Sequence, residues 1–216
     1  MGLVTLGDFE EVLREAASGE VAYALVGGLA VALWAERFAV GVAHLPLYSK
    51  DLDLRGARAV AQSFGLLLKA RGFPLASMTT VHRKIPPGMG KTHVLQVELP
   101  AAGRTNVEVL ERLPLLDAPD GFPAGRVMRV AGIQVLDPIS LLICKAHAWN
   151  HRLQNEASND AVHIEMLVEI VPQFIAEAKA RKLDVSPQIA ALRTAVRSCP
   201  LPLEMAFWES ISLSAQ

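Results

Sequence analysis

Two aspartates set two residues apart, Asp51 and Asp53, carry the clearest chemistry in this chain. They alternate with Leu52 and Leu54. On a strand, successive side chains point to opposite faces, so the leucines turn toward a core and both carboxylates toward one cleft. Like charges that close repel unless a cation neutralises them. Carboxylate oxygens suit Mg²⁺, which is commonly held by one or two carboxylates together with substrate phosphates. Such a site calls for a third acid from a neighbouring strand. Glu108, in Asn106-Val107-Glu108-Val109-Leu110, has the required phase, and Glu98, in Leu95-Gln96-Val97-Glu98-Leu99, is its competitor. Glu108 is preferred because Val109-Leu110 continues the buried pattern.

A second feature precedes the aspartates. The apolar run 23–26 ends in Gly27-Gly28, and an apolar, helix-like segment follows over 29–38. Paired glycines let the backbone approach an anion closely, and a helix start offers free N–H groups to it. A glycine turn for phosphate and a carboxylate set for metal ions together serve phosphate chemistry. Two ions would activate an attacking oxygen and stabilise a leaving pyrophosphate.

The elements that position these residues follow from periodicity. Residues 8–17 read as an amphipathic helix, with Phe9, Val12, Leu13 and Ala16 on one face. Residues 21–26 read as a strand, 28–37 as a helix and 51–54 as a strand reached through the connection 44–50. A strong helical period over 56–71 stops at Gly72-Phe73-Pro74. Residues 76–83, 92–99 and 106–110 read as strands, with a loop over 82–91 that contains Pro86-Pro87-Gly88. Residues 114–125 read as a further loop, and 127–135 as a hairpin turning at Gly132. Beyond Asp137-Pro138, a capped helix start, the pattern is helical: 139–149, 159–182 with Pro172 as a kink or break, a helix opened by Ser186-Pro187, and 203–213. The expectation is an α/β (α+β) part over 1–136, with a small mixed sheet flanked by helices, and a helical C-terminal part over 137–216 packed on it.

Composition narrows the function class. With 216 residues, 51% of them hydrophobic, the chain can bury a substantial core and does not read as disordered. A formal net charge of -1 supplies no global basic field for non-specific nucleic-acid binding. Two cysteines, Cys144 and Cys199, do not make a disulfide framework and fit a reducing cytoplasm. Residues 1–20 carry acids and no long apolar stretch, so they do not read as a signal peptide, and no window reads as a membrane span.

The set Gly27-Gly28, Ser49-Lys50-Asp51-Leu52-Asp53-Leu54 and a later acidic strand resembles the nucleotidyltransferase superfamily typified by DNA polymerase β. Asp137-Pro138, followed by Leu141, Leu142, Lys145, Ala146, Arg152 and Asn159-Asp160, resembles the abortive-infection nucleotidyltransferase toxins (AbiEii-like) and their bacterial relatives. The resemblance covers about residues 20–170. It implies a nucleotidyltransferase fold and Mg²⁺-dependent transfer of an NMP group from an NTP to an acceptor hydroxyl on tRNA, a protein or a small molecule. It also implies a toxin–antitoxin setting with a cognate antitoxin. Asp51, Asp53 and Glu108 would be the catalytic metal ligands; Gly27, Gly28, Ser49, Lys145, Arg152 and Asp160 would line the nucleotide site. The chain departs from the pattern twice: the third acid is Glu108 where Asp is commoner, and a Lys-Asp-x-x-Asp pattern stands here as Asn159-Asp160-Ala161-Val162-His163. The second departure motivates an alternative, a binding or regulatory module that keeps the fold without turnover. A metal-dependent phosphohydrolase is a third reading.

Other motifs do not carry their usual chemistry. Gly88-Met89-Gly90-Lys91-Thr92 lacks the earlier glycine of a phosphate loop, Ile85 standing there, and precedes a strand where that loop needs a helix. His147 and His151 have zinc-like i, i+4 spacing, but Ala148 stands where a metalloprotease helix needs Glu. Cys144 reads as a buried small hydrophobe.

Overall fold

The computed structural model describes residues 3–41, 48–84, 89–100, 103–116, 125–151, 159–199, 201 and 207–211. Strand β1 (Val4–Thr5) leads into helix α1 (Glu10–Ser18), strand β2 (Ala24–Val26) and helix α2 (Gly27–Phe38). Strands β3 (Tyr48–Ser49) and β4 (Asp51–Arg55) come next, then helix α3 (Arg58–Ala70). Strands β5 (Leu75–Lys84), β6 (Met89–Leu99), β7 (Gly103–Leu110), β8 (Val127–Val130) and β9 (Ile133–Leu136) follow. Helices α4 (Pro138–His151), α5 (Asp160–Ala180) and α6 (Ser186–Ser198) complete the order, with a further helical turn at 207–211. The chain divides into two units: Met1–Leu33 with Leu45–Leu136, and Trp34–His44 with Asp137–Gln216.

The first unit is built on a seven-stranded mixed sheet in the order β5-β6-β7-β4-β2-β9-β8, beside a two-stranded β1-β3 pair. Strands β2 and β9 run parallel, as do β4 and β7; the other neighbours are antiparallel. Strict alternation decides which face is buried. Leu52, Leu54, Leu95, Val97, Val107 and Val109 are fully buried. Helix α3 covers this face: a Cβ placed on its Gly65 would lie 3.3 Å from Leu95 Cδ2 and 3.6 Å from Leu75 Cδ2. Its Phe64 ring meets the edge of Tyr23 at 5.2 Å. Each such aliphatic side chain contributes about 2 kcal/mol by leaving water. The opposite face presents the intervening residues of β4 and β7, which are half-buried at Asp51, Asp53, Arg55, Asn106 and Glu108.

Polar contacts fix helix α1 against the last hairpin. The buried Tyr23 hydroxyl donates to Leu13 O at 2.7 Å and accepts from Gln134 N at 3.3 Å. Arg129 donates to Ala17 O at 2.7 Å. The hairpin between β8 and β9 turns through Ala131 and Gly132 with φ of 49° and 85°, the left-handed pair that a two-residue loop with matched twist requires.

In the second unit, helix α4 starts as its sequence dictates. Ser140 N and Oγ both donate to the Asp137 carboxylate, at 2.9 Å and 2.6 Å, and Pro138 occupies the first helical position. Pro172 lies inside α5, which continues unbroken from Asp160 to Ala180. Phe174 meets the Trp34 ring edge-on at 5.5 Å, and Arg37 pairs with Glu177 at 2.5 Å.

The expected α/β class is the observed one, and most element bounds shift by one to three residues. The loop expected over 82–91 is shorter, because β5 extends to Lys84 and β6 begins at Met89. Lys91-Thr92 therefore lies within a strand, which removes the phosphate-loop reading. Cys144 is half-buried, where full burial was expected, because it lies on a less covered side of α4 than Leu141, Leu142 and Ile143. Most of the expected helix 203–213 lies outside the described residues.

Candidate active site

Three strands meet at the carboxylates. Val26, the last residue of β2, is the register partner of Asp53, and Asp53 is in turn the partner of Glu108 on β7. Asp51 is the partner of Asn106. Registered neighbours on adjacent strands share a face and lie about 5 Å apart. Asp51, Asp53, Asn106 and Glu108 thus form a two-by-two patch on the face away from α3, with Arg55 two residues beyond Asp53. Glu98 falls elsewhere: it is exposed, lies on β6 and is the partner of Arg104.

The glycine turn abuts this patch. Gly27 adopts φ +69° as β2 passes into α2, a conformation that costs a side-chain-bearing residue about 1–2 kcal/mol. A Cβ at Gly27 would lie 2.1 Å from Asp53 Oδ2 and 2.8 Å from Asp53 Cβ and Cγ. The Asp53 carboxylate therefore fills the space that any other residue at 27 would occupy. Gly28 follows, buried, in the first turn of α2, a 12-residue helix. Orphan backbone N–H groups and the positive end of the helix dipole make such a start a ready anion site. Ser49 is half-buried on β3, paired with Val4 of β1 and two residues before Asp51.

The donors present are hard carboxylate oxygens, which fit Mg²⁺ rather than a softer metal. Among the described residues, no three His, Cys, Asp or Glu side chains are gathered closely enough to hold a metal ion, so Asp51, Asp53 and Glu108 share a face without forming a preassembled metal site. Mg²⁺ is usually held by only one or two carboxylates, with phosphate oxygens and water completing its shell.

The remaining predicted positions lie in the second unit. Lys145 Nζ donates to Asp160 Oδ1 at 2.7 Å across α4 and α5, with both side chains buried. Lys145 is thus committed to a carboxylate of its own unit. His163 follows Asp160 by one helical turn. Burial first, then the positive charge of Lys145, lowers its pKa to about 3 against the opposing pull of Asp160. Arg152 lies outside the described residues. His147 is described, but no zinc-type cluster forms around it among the described residues.

Sequence reasoning passed over two residues of the patch, Asn106 and Arg55. The available signal was phase: each lies two residues from a chosen acid on an alternating strand. Asn106 Oδ1 is buried without a hydrogen-bond partner among the described residues.

No protein-family profile and no curated protein sequence matches the chain. Solved structures do resemble it in fold. The crystal structure of JHP933 from Helicobacter pylori superposes with a TM-score of 0.51 at 11% identity, covering 97% of this chain and 88% of that one. The antibiotic-resistance factor ANT(2'')-Ia gives 0.45 at 13% identity, covering 89% and 91%. The polyadenylate synthase of Megavirus gives 0.44 at 11% identity, covering 94% of this chain and 36% of that one. The likeness to JHP933 is one of fold over nearly the whole of this chain.

Proposed function

We propose that this chain is a nucleotidyltransferase that moves an NMP group from an NTP to an acceptor hydroxyl, residues 1–136 forming the transferase part and 137–216 a helical part. One observation carries the reading: the Asp53 carboxylate occupies the Cβ space of Gly27 at the start of α2. An anion-binding turn and a metal-type carboxylate are thereby held in direct contact. Neither feature alone would distinguish a reaction site from an ordinary turn or a solvated strand face.

In this reading the N–H groups at Gly27 and Gly28 hold triphosphate oxygens, with Ser49 contributing a hydroxyl nearby. Asp51 and Asp53 would hold Mg²⁺, two ions during turnover, and Glu108 would complete the set. Mg²⁺, when bound there, would supply charge neutralisation for the phosphate oxygens. Glu108, the register partner of Asp53, would also accept a proton from the acceptor hydroxyl. Such chemistry asks for positioning and electrostatics more than covalent participation. Lys145 and Asp160 act as a buried pair that fixes α4 to α5; a nucleotide role for Lys145 requires that pair to open. The acceptor is a hydroxyl of tRNA, protein or a small molecule, in a cytoplasmic toxin–antitoxin setting with a cognate antitoxin.

Radiolabel transfer from each NTP with Mg²⁺ tests this. Wild type should transfer and Asp53→Asn should not, while calorimetry should show Mg²⁺-dependent NTP binding to wild type. Absence of NTP binding would defeat the reading. The alternative of an inactive binding module is favoured by the committed Lys145–Asp160 pair and by His163. It predicts NTP binding without transfer to any acceptor.

A further inference from the structure

On the α3-covered face of the sheet, three side chains form a chain of hydrogen bonds. Thr80 Oγ1 lies 2.9 Å from His93 Nδ1, and His93 Nε2 lies 2.9 Å from Glu111 Oε1. His93 is 2% exposed, Glu111 is partly exposed and Thr80 is exposed on the edge strand β5. An ionised carboxylate only accepts, so the tautomer that suits this chain carries its proton on Nε2, toward Glu111. Nδ1 is then the acceptor, and the Thr80 hydroxyl donates to it. A hydroxyl in hydrogen-bond reach of a base that a third group orients has the geometry of an activated nucleophile.

The register also says where this hydroxyl can react. Thr80 is the partner of His93, His93 of Val109, and Val109 of Leu54, so all four point to one face. Asp53 and Glu108 point to the other. Thr80 is therefore out of reach of the acids in its own chain, yet it lies on an exposed edge open to another molecule.

We propose that Thr80 is an acceptor hydroxyl for nucleotidyl transfer between two copies of this chain, with His93 as its base and Glu111 as the residue that positions the base. This rests on the transferase reading and names its acceptor as a protein hydroxyl. Thr80 Oγ attacks the α-phosphorus of an NTP held by the second copy. The Oγ–P bond forms and the bond from that phosphorus to the bridging oxygen breaks. Pyrophosphate leaves with the electron pair, and the hydroxyl proton passes to His93 Nδ1, where Glu111 balances the charge.

The test is peptide-mapped mass spectrometry of the full chain after incubation with Mg²⁺ and each NTP. One nucleotidyl group should appear on Thr80 and should be absent from Thr80→Val. When Asp53→Asn and Thr80→Val chains are mixed, the Asp53→Asn chain should carry the label, because it offers the hydroxyl and its partner the acids. Glu111→Gln, which keeps an acceptor for the imidazole, should slow labelling at least tenfold without loss of fold by circular dichroism. A fluorophosphonate probe, which reports activated hydroxyls without any nucleotide, should mark Thr80 in wild type and fail in His93→Gln. NTP binding and transfer elsewhere, with Thr80 unmarked by nucleotide and probe alike, would overturn the proposal and leave the transferase reading standing. No NTP binding with Thr80 marked by the probe would end the transferase reading, and with it Thr80 as a nucleotidyl acceptor, while keeping the activated hydroxyl. Equal labelling of Glu111→Gln and wild type would overturn the positioning role.

Discussion

Gly27→Ala probes the contact on which the candidate site depends. Two costs add. Alanine at φ +69° takes on a left-handed backbone strain of about 1–2 kcal/mol. Its Cβ would also meet Asp53 Oδ2 at 2.1 Å and Asp53 Cβ and Cγ at 2.8 Å, well inside van der Waals contact. Forcing an extra methyl into a filled space typically costs about 1–3 kcal/mol. The sum is roughly 2–5 kcal/mol, or about 10 °C in Tm at the centre of these ranges for a protein of this size. A double-mutant cycle separates the two parts. In an Asp53→Gly background all three close contacts vanish, so Gly27→Ala should cost only the backbone part, about 1–2 kcal/mol. In an Asp53→Ala background the Cβ at 2.8 Å remains, and the cost should be intermediate. Urea unfolding of the variants gives the coupling. Transfer by Gly27→Ala should fall roughly 100-fold, since a displacement on the order of 1 Å at a reacting group has that effect. Equal cost of Gly27→Ala in all backgrounds would show that the turn and the carboxylate are not in contact, and the argument for the site would fail with it.

Other consequences concern the buried polar groups. Asp160→Asn leaves the Lys145 charge buried without its counter-ion, and denaturant unfolding should show a loss of about 3–5 kcal/mol, whereas the joint change Lys145→Met with Asp160→Leu should recover most of it. His163 has a folded pKa of about 3 against 6.5 unfolded, so its neutral form stabilises the protein above pH 6.5 and that contribution is lost as pH falls toward 3. Unfolding free energies from urea titration should fall between these limits by on the order of 2–4 kcal/mol more in wild type than in His163→Gln; parallel profiles would contradict the burial of this imidazole. Tyr23 has a folded pKa raised to about 12, chiefly by burial, so its contribution is present below pH 10 and lost as pH rises toward 12. Tyr23→Phe should remove that alkaline arm and cost about 1–2 kcal/mol at neutral pH, through the lost hydrogen bond to Leu13 O.

Much of the fold was legible in local pattern. The alternation in 51–54 and 106–110 assigned buried and open faces correctly, since a strand's period is fixed by backbone geometry. Asp137-Pro138 located the start of α4, because capping depends only on neighbouring residues. Strand lengths were less legible. Residues 82–84 and 89–91 carry polar and basic groups that read as a loop, yet cross-strand pairing from His82 to Lys91 extends the hairpin through them. Pairing with a neighbour overrides weak local preference.

The sequence by itself determined the acids, their phase and the glycine turn, because each is a property of a few adjacent residues. It did not determine that β4 and β7, separated along the chain by α3 and a whole hairpin, are parallel neighbours with Asp53 against Glu108. Nor did it determine that Asp53 fills the Cβ space of Gly27, that Lys145 is bound to Asp160, or that Thr80, His93 and Glu111 form a chain. A one-residue slip in register would send the strand side chains among these, Asp53, Glu108, Thr80 and His93, to the opposite face. Register is set by the packing of the whole sheet against its helices, and only the tertiary structure expresses it.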